Sequence, residues 1–393
     1  MQASAPGPSW LRRHAPLLLL LGVGLVVRLA LIPIPGHRGD VFVMARWAET
    51  LAAHGPLAFY AHDAAIYPAL LPIMWPLGVL FDGDALSAAI KGLSIPFDLG
   101  LAVLLYTVVA RRTDRSIGLQ AALIYLLNPA VLVAGPMWGQ VDAAGTLLLV
   151  GSLVALAEGR FGLAGVLAAL AGLAKPQFGL VALVVLVVAA LAWQRGGRWQ
   201  PLARSLIGLG GAAAAVSLAF GLSPIAWLGL VADLAASKPM TSLNAPNMWA
   251  LLVGFSVDDA PYVVIGGALL LAGLAASLLP LRRGHDLATL LTVGMLIAFA
   301  FYFLPTRVHE RYLFPAMAII VPLAVVNSRR MAAYASLSVA FAISLVRAMV
   351  DTTGLTLSHE LDAALLSWPV AWLIGLILIG SAVTLVRLTW PRR

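Results

Sequence analysis

Cysteine is absent from this 393-residue chain, and charged residues are scarce. Without cysteine, the chain can form no disulfide, no thiolate metal site and no cysteine nucleophile. Charged side chains make up 11% of the sequence, whereas soluble domains have about 25%. Hydrophobic residues make up 61%. So few charges cannot cover a water-exposed surface, and the composition therefore indicates an integral membrane protein.

Motifs for nucleotides and metal ions are missing as well. The sequence has no phosphate-binding glycine loop of the Walker type and no His-x-x-x-His pair. Asp82-Gly-Asp84 is the nearest metal-like pattern, but it lies at the predicted start of a membrane span, away from the other polar motifs. We therefore expect no metal ion, no cofactor and no nucleotide-consuming reaction.

Long apolar runs recur along the chain, and a run of roughly 20 residues can cross the hydrocarbon core as a helix. We predict an all-α, polytopic protein of one domain, residues 1–393, with about twelve transmembrane helices. No small-residue cleavage site follows the first run, so we interpret it as a retained span and not as a signal peptide. The predicted spans are 15–34, 86–110, 117–135, 141–158, 160–174, 177–194, 204–224, 260–280, 286–304, 312–326, 331–349 and 363–388.

Arginine clusters between the apolar runs set the predicted orientation. With both termini in the cytoplasm, every dense cluster falls on the cytoplasmic side, as the positive-inside rule requires. The net charge of +8 therefore reflects orientation in the bilayer, and it does not indicate a nucleic-acid partner. The Ala-, Leu- and Gly-rich composition favours a bacterial plasma membrane. The clusters are Arg111, Arg112 and Arg115; Arg160; Arg195, Arg198 and Arg204; Arg282 and Arg283; Arg329 and Arg330; Arg387, Arg392 and Arg393.

Two long segments, 36–85 and 225–258, are predicted to lie on the non-cytoplasmic side. Within the first, residues 67–82 are apolar but short, and their three prolines interrupt the backbone hydrogen bonding that a lipid-exposed helix needs. Counting them as a span would also place the arginines near residue 111 outside. Residues 41–54 are predicted to form a short helix along the membrane interface.

Polar residues collect at the non-cytoplasmic ends of the spans, which predicts that a catalytic or binding site faces that side. Asp40 follows the first span. Its carboxylate could accept a proton from an attacking alcohol, or it could be the N-cap of the following helix. Trp138 offers a flat face for a sugar ring, and Gln140 and Asp142 offer hydrogen bonds to hydroxyls. An interfacial tryptophan followed by a helix cap is the alternative for these three residues.

The segment 305–315 carries four ionisable residues at a predicted membrane boundary, namely Arg307, His309, Glu310 and Arg311. Desolvating such a cluster is costly unless the charges pair or meet a ligand. The planar fork of arginine suits phosphate, because it donates two parallel hydrogen bonds. The alternative is an internal pair of Glu310 with Arg311 or with Arg307.

Three further residues complete the candidate site. Lys175, in LAKPQF, could hold a phosphate, or it could be a lysine that snorkels to the interface. Asn247, in SLNAPNMW, could contact a sugar or mark a transition from loop to helix. Tyr67 opens the proline-rich stretch on the same face. Lys91 and Asp98 lie within the second predicted span, about two turns apart, and their role stays open.

These motifs, in this order, resemble the polytopic glycosyltransferases of the GT-C class. The resemblance is to the branch of the eukaryotic ER glucosyltransferases of N-glycan assembly, the GPI mannosyltransferases and their bacterial relatives. The chain departs from the family pattern by reading Tyr67-Pro68-Ala69 where Tyr-Pro-Pro is usual. The matching pieces, which spread over residues 40–315, are DVFVMARWAETL with YPALLP, NPAVLVAGPMWGQVDA, LAKPQ, LNAPNMW and VHERYLFP.

The resemblance implies a GT-C-like fold with external juxtamembrane helices. Asp40 would be the catalytic base of an inverting transfer, with Asp142 as the second candidate, and the segment His309–Arg311 would lie near the donor phosphate. Lys175 and Arg307 would be additional phosphate ligands. The expected donor is a polyprenyl-phosphate sugar, with mannose ahead of glucose and arabinose.

The expected acceptor is a lipid-linked or glycan molecule. A secondary transporter or a lipid flippase is the alternative from another class, although transporters commonly show an internal repeat and none is evident in this sequence.

Overall fold

The computed structural model describes residues 8–390, and nearly all of its regular structure is helical. A π-helical turn occupies Val133–Met137, and 3-10 turns occupy Pro176–Leu180 and Leu279–Arg282. Two short strands are β1 (Ser242–Leu243) and β2 (Val308–His309). The α-helices are α1 (Pro8–Leu31), α2 (Arg38–His62), α3 (Leu71–Leu80), α4 (Gly83–Gly92), α5 (Ile95–Ala110), α6 (Arg115–Leu126), α7 (Pro129–Leu132), α8 (Asp142–Ala157), α9 (Phe161–Ala174), α10 (Val181–Gly196), α11 (Gln200–Phe220), α12 (Pro224–Ala236), α13 (Met248–Leu252), α14 (Val263–Ser277), α15 (Leu287–Phe303), α16 (Phe314–Ile319), α17 (Val321–Ala324), α18 (Ser328–Thr353), α19 (His359–Leu366) and α20 (Trp368–Thr389).

Seven helical segments of the described part are long and apolar enough to cross a membrane. An eighth is obtained if Arg115–Leu126 and Pro129–Met137, which are bent by 46°, form one span. The prediction of an all-α, polytopic membrane protein is therefore confirmed. Every predicted span contains a helix, but in four of them the continuous helical segment has only 10–17 residues, so the number of about twelve spans is not confirmed. The four short helices lie in the predicted spans 141–158, 160–174, 286–304 and 312–326.

Several turns that carry the arginine clusters contact one another and lie on one side of the molecule. We call this side the basic end. Contacts join these turns, such as Arg111 to Glu158 at 3.6 Å and the Arg195 guanidinium to a backbone carbonyl at 2.7 Å. We call the opposite side the site end. The predicted cluster residues Arg392 and Arg393 lie outside the described residues, as do both termini.

Two helices that are not among the candidate membrane spans, α2 and α3, lie at the site end. The helix predicted at 41–54 is longer than expected: α2 runs from Arg38 to His62 and is kinked at Gly55, whose φ is +74°. Helix α3 has ten residues, so it rises about 15 Å, half of the hydrocarbon thickness. Its length agrees with leaving residues 67–82 out of the predicted spans.

The bend after α6 carries the chain into the site end. Asn128 caps α7, because its Oδ1 accepts hydrogen bonds from two backbone N–H groups, and its Nδ2 donates to the Tyr334 hydroxyl at 2.7 Å. Pro129 and Pro136 have no N–H group and interrupt the helical hydrogen bonds here. The chain is accordingly bent here, and the π-helical turn that follows has Trp138 as its C-cap.

Helices α9 and α11 pack through small residues, as is usual in membranes. A Cβ atom on Gly165 would lie 2.4 Å from a backbone oxygen of Ser205, and one on Gly208 would lie 2.2 Å from a backbone oxygen of Gly162. The close contact fixes the position of α9. The next residue after α9, Lys175, is thereby held at the site end.

A buried ion pair joins α1, α5 and α6, and we call it the interior cluster (Arg28, Asp98 and Tyr125). Arg28 Nε donates to Asp98 Oδ2 at 3.0 Å, and the Tyr125 hydroxyl donates to Asp98 Oδ1 at 2.8 Å. Lys91 donates to two backbone carbonyls just after α1, where helices commonly recruit a cation. Lys91 and Asp98, whose role the sequence leaves open, therefore both hold α1 in place.

Strands β1 and β2 join the two loops that precede α13 and follow α15. They are parallel, with Ser242 opposite Val308 and Leu243 opposite His309. Asn244 adds an isolated bridge to His309. No strand is predicted from the sequence, because two residues are too few to show an alternating pattern.

Candidate active site

Asp40 lies in the first turn of α2, at the site end. Its Oδ2 accepts hydrogen bonds from Trp138 Nε1 at 2.8 Å and from Gln140 Nε2 at 2.6 Å. The N-cap of α2 is His37, whose Nδ1 accepts the Asp40 backbone N–H at 3.1 Å. Asp40 is therefore not the helix cap that the sequence offered as an alternative, and its carboxylate is directed at other side chains.

The loop after the π-helical turn brings Trp138 and Gln140 against α2. The His37 backbone N–H donates to the Trp138 carbonyl at 3.0 Å, and the His37 ring stacks on the Trp138 ring with a centroid distance of 5.2 Å. Gly139 makes this approach possible: its φ is +95°, and a Cβ atom there would lie 2.7 Å from Val41.

Trp138 itself is only 1% exposed. Its ring is stacked by His37, and the Arg311 guanidinium lies over it at 5.9 Å from the centroid. The expectation that Trp138 offers a free face to a sugar does not match this geometry, because neighbouring side chains already cover the ring. Its indole N–H instead supports Asp40.

Lys175 connects the two polar residues that follow Trp138. Its Nζ donates to Gln140 Oε1 at 3.0 Å and to Asp142 Oδ1 at 2.5 Å, and it lies 5.7 Å from the centroid of the Tyr67 ring. Lys175 and Asp142 are both almost completely buried, so Lys175 is not a snorkelling lysine. Asp142 Oδ2 has no hydrogen-bond partner and is free to accept one from a ligand.

The predicted cationic segment reaches Asp40 from the other side. Arg311 Nη1 donates to Glu310 Oε1 at 2.6 Å, and Arg311 Nη2 lies 3.7 Å from Asp40 Oδ1. The Glu310 backbone N–H donates to the Leu243 carbonyl at 3.0 Å, so the strand pair holds the segment in place. Arg311 Nε has no partner. We call Asp40, Trp138, Gln140, Asp142, Lys175, Glu310 and Arg311 together the site cluster.

The charges of the site cluster set its protonation state. Burial raises the pKa of Asp40, but Arg311, His37 and the Trp138 hydrogen bond outweigh it and hold that pKa well below its usual value. Glu310 follows the same pattern, since Arg311 lowers its pKa against the effect of burial. Burial and Arg311 both lower the pKa of His309. At neutral pH, Asp40 and Glu310 are therefore carboxylates and His309 is uncharged.

Two predicted site residues, Arg307 and Asn247, make their hydrogen bonds to groups outside the site cluster. Arg307 donates two hydrogen bonds to Asp259, at 2.7 and 3.0 Å. Asn247 is the N-cap of α13, and its Nδ2 donates to the Pro305 carbonyl at 3.4 Å. Of the two internal pairs that the sequence suggested for Glu310, the structure therefore forms the one with Arg311 and not the one with Arg307.

Sequence reasoning missed the parts played by His37 and Asp259. His37 lies three residues before Asp40, which is the spacing at which an N-cap side chain accepts a backbone N–H group, so this role could have been predicted from the sequence. The pairing of Asp259 with Arg307 joins positions 48 residues apart, and no local signal marks it. Among the described residues, no three His, Cys, Asp or Glu side chains form a group that could hold a metal ion.

The bundle and the site cluster define a multi-pass membrane protein of the GT-C glycosyltransferase class. The fold is similar to the crystal structure of the Archaeoglobus fulgidus oligosaccharyltransferase in its apo form, with a TM-score of 0.50 and 14% sequence identity. The similarity covers 97% of this chain and 56% of the archaeal one, so this chain spans little more than half the length of that protein. At this identity the similarity concerns the fold.

The chain belongs to glycosyltransferase family 87, whose sequence model matches residues 66–305. Comparison with curated protein sequences gives no match. The family match includes Tyr67, Trp138, Gln140, Asp142 and Lys175, while Asp40 and the segment 307–311 lie outside it. The class predicted from the motifs is confirmed.

Proposed function

We propose that this enzyme transfers a hexose, preferably mannose, from a polyprenyl-phosphate carrier to a hydroxyl of a lipid-linked or glycan acceptor, with inversion. One observation carries the proposal: the Asp40 carboxylate is held by Trp138 and Gln140 and faces Arg311 at 3.7 Å. A carboxylate beside a cation supplies both needs of this reaction, a base for the alcohol and a countercharge for the phosphate.

In the proposed step, the acceptor oxygen forms a bond to the anomeric carbon from the side opposite the phosphate. The bond between that carbon and the phosphate oxygen breaks, and its electron pair leaves with the phosphate. The acceptor proton passes to Asp40. Arg311 stabilises the negative charge that grows on the leaving phosphate. Because phosphate is already a good leaving group, the step does not require a Lewis acid.

Arg311 also links donor binding to the basicity of Asp40. In the free protein Arg311 is among the groups that hold the pKa of Asp40 low, and a carboxylate of such low pKa is a weak base. A donor phosphate beside Arg311 would offset its charge and raise the proton affinity of Asp40. The base would then become stronger when the donor is present.

The pair of Asp142 and Lys175 is the proposed sugar-binding part of the site. Asp142 Oδ2 is buried without a partner, and a buried acceptor of this kind is costly unless a ligand supplies a hydrogen bond. A sugar hydroxyl is such a donor. Lys175 keeps the carboxylate oriented, and Tyr67 packs beneath the lysine.

An apolar crevice beside the site cluster supports a lipid carrier. It lies among α8, α10, α15 and α16, and Tyr312, the residue after Arg311, is part of its wall. Apart from Gln177 and Tyr312, the side chains that line it are hydrocarbon or aromatic. The crevice is too small to enclose an isoprenoid chain, so its apolar wall would contact only the start of a chain whose phosphate lies near Arg311.

The arginines of the basic end support the proposed orientation. Cytoplasmic loops carry an excess of lysine and arginine, so we infer that the basic end is cytoplasmic and that the site end faces away from the cytoplasm. A bacterial plasma membrane remains the proposed location. Membership of glycosyltransferase family 87 favours an enzyme over the secondary transporter or lipid flippase.

The test is the transfer of radiolabelled mannose from polyprenyl-phosphate-mannose to membrane lipids by purified, reconstituted protein. Asp40→Asn should lower the rate by a factor of about 10²–10⁴, the usual contribution of a general base. Asp84→Asn is the matched control, because Asp84 is exposed at the start of α4 and should leave the rate unchanged.

Equal rates for wild type and Asp40→Asn would contradict the role of Asp40 and make Asp142 the candidate base. Transfer from polyprenyl-phosphate-glucose, with none from the mannose donor, would change only the proposed sugar. No transfer from any polyprenyl carrier across a full range of acceptors would contradict the proposed donor class.

A further inference from the structure

One buried arginine differs from the others. Arg28, Arg311 and Arg347 are each more than nine-tenths buried. Arg28 pairs with a carboxylate at 3.0 Å, and Arg311 pairs with one at 2.6 Å. For Arg347, the described part of the chain offers no carboxylate oxygen within 4.0 Å. A cation in a membrane helix usually finds a countercharge or a functional role.

The surroundings of Arg347 leave hydrogen-bonding capacity unused. It lies near the end of α18, and its Nη1 donates to Asn244 Oδ1 at 3.3 Å. Its guanidinium covers the Phe255 ring at 4.4 Å from the centroid. Its Nε is buried without a partner. Asp351, one turn further along the helix, instead accepts a hydrogen bond from Asn244 Nδ2 at 3.1 Å.

Asn244 places Arg347 next to the site cluster. Asn244 bridges to His309 and has a φ of +61°, an uncommon backbone conformation for a residue other than glycine. Arg311, two residues after His309, also has a buried Nε without a partner. Two arginines with unused donors thus flank the same short stretch of backbone.

We propose that Arg347 binds a phosphate group carried on a lipid. The planar fork of arginine matches phosphate oxygens, and an aromatic ring beneath it leaves the in-plane donors free. The position of Arg347 on a span-length helix suits an anion that is attached to a lipid. The assignment of this phosphate to the sugar donor rests on the proposed function, whereas phosphate binding itself does not.

The test uses the full-length protein, purified in a maltoside detergent without phosphate groups. The probes are polyprenyl phosphate and the uncharged polyprenol of the same length. Arg347→Gln should weaken binding of polyprenyl phosphate by about tenfold or more, as expected for hydrogen bonds to a charged group. Polyprenol binding should not change, and Arg347→Lys should keep part of the affinity because it keeps the charge.

Asp351→Asn is the matched control, since Asp351 also contacts Asn244 but carries the opposite charge. It should leave phosphate affinity unchanged or increase it. If Asp351→Asn weakens binding as much as Arg347→Gln does, Arg347 only positions Asn244, and the proposal is overturned.

Native mass spectrometry of copurified phosphatidylglycerol separates the two sources of phosphate. Loss of this lipid in Arg347→Gln, with polyprenyl phosphate binding intact, would assign the site to a bilayer headgroup. No change for either lipid would overturn the proposal. If polyprenyl phosphate binds through Arg347 but wild type transfers no sugar in the same preparation, the site stands and the proposed function fails.

Discussion

The interior cluster and the site cluster are built from the same residue types and differ in their exposure and in whether every carboxylate oxygen has a partner. Asp98 is fully buried, and both of its oxygens accept hydrogen bonds from Arg28 and Tyr125. Asp40 is 24% exposed and likewise has strong donors. The site cluster, however, keeps an unused carboxylate oxygen, Asp142 Oδ2, whereas each cluster leaves one buried guanidinium nitrogen without a partner, Arg28 Nη2 and Arg311 Nε.

The difference teaches how a buried charge can be recognised as functional. Both clusters satisfy the rule that charges inside a membrane protein pair with one another. A structural pair faces only the protein, whereas a binding pair keeps an opening and a spare carboxylate acceptor for a ligand. Removing a charge from the interior cluster should therefore cost stability, and removing one from the site cluster should cost activity.

The largest expected effect is a loss of folding stability when the interior cluster is changed, and it tests whether the two clusters differ in role. Asp98→Asn removes the countercharge of the buried Arg28 and should lower the free energy of unfolding by about 3–5 kcal/mol. Unfolding of the reconstituted protein in SDS measures this loss. Asp40→Asn, the matched variant in the site cluster, should lose far less stability while losing sugar transfer. Equal stability losses in the two variants would show that the clusters do not differ in role.

Lys175 tests the comparison of the two clusters further, because this cation of the site cluster is almost as completely buried as the charges of the interior cluster. Lys175→Met should lower kcat/KM by about tenfold to a hundredfold, the worth of hydrogen bonds to charged groups. It should also lower stability, because Asp142 is left buried without its partner. The double variant Lys175→Met with Asp142→Asn should recover stability and not activity. Recovery of both would make this pair purely structural.

The smallest expected effect is a change in pH dependence. The pKa of Asp40 is held well below its ordinary value of 3.8, so Asp40 should stay ionised, and kcat/KM should show no loss through this group, between about pH 8 and 5. Arg311→Gln removes the largest lowering influence on that pKa. Its residual activity should therefore begin to fall at a higher pH than that of wild type.

Stability should respond with the same sign. A carboxyl group whose pKa is lowered in the folded state stabilises the protein above its unfolded-state pKa, and this contribution is lost as the pH falls through the folded-state value. The contribution of Asp40 should therefore persist to more acidic pH in wild type than in Arg311→Gln. A kcat/KM profile of identical shape in the two proteins would contradict the coupling of Asp40 to Arg311.

The glycosyltransferase class was predictable because it rests on local patterns. Apolar runs, arginine clusters and short motifs such as WGQVDA are readable without any tertiary contact, and the structure brings Asp40, Asp142, Lys175 and Arg311 together at one end, as the motifs predicted. The number of spans was not readable, since helices α8, α9 and α15 are apolar but short, and hydropathy does not separate a short buried helix from a span.

The sequence by itself determined that this is a polytopic helical membrane protein, because composition and periodicity follow from the solvent that each residue meets, and it predicted that polar residues gather at one end. Only the tertiary structure decided which charged residues have a structural role. It set Asp98 against Arg28 across 70 positions, gave Arg307 to Asp259, and left Arg347 without a carboxylate within 4.0 Å in the described part of the chain. Pairing between distant residues depends on how helices pack, and no local pattern contains that information.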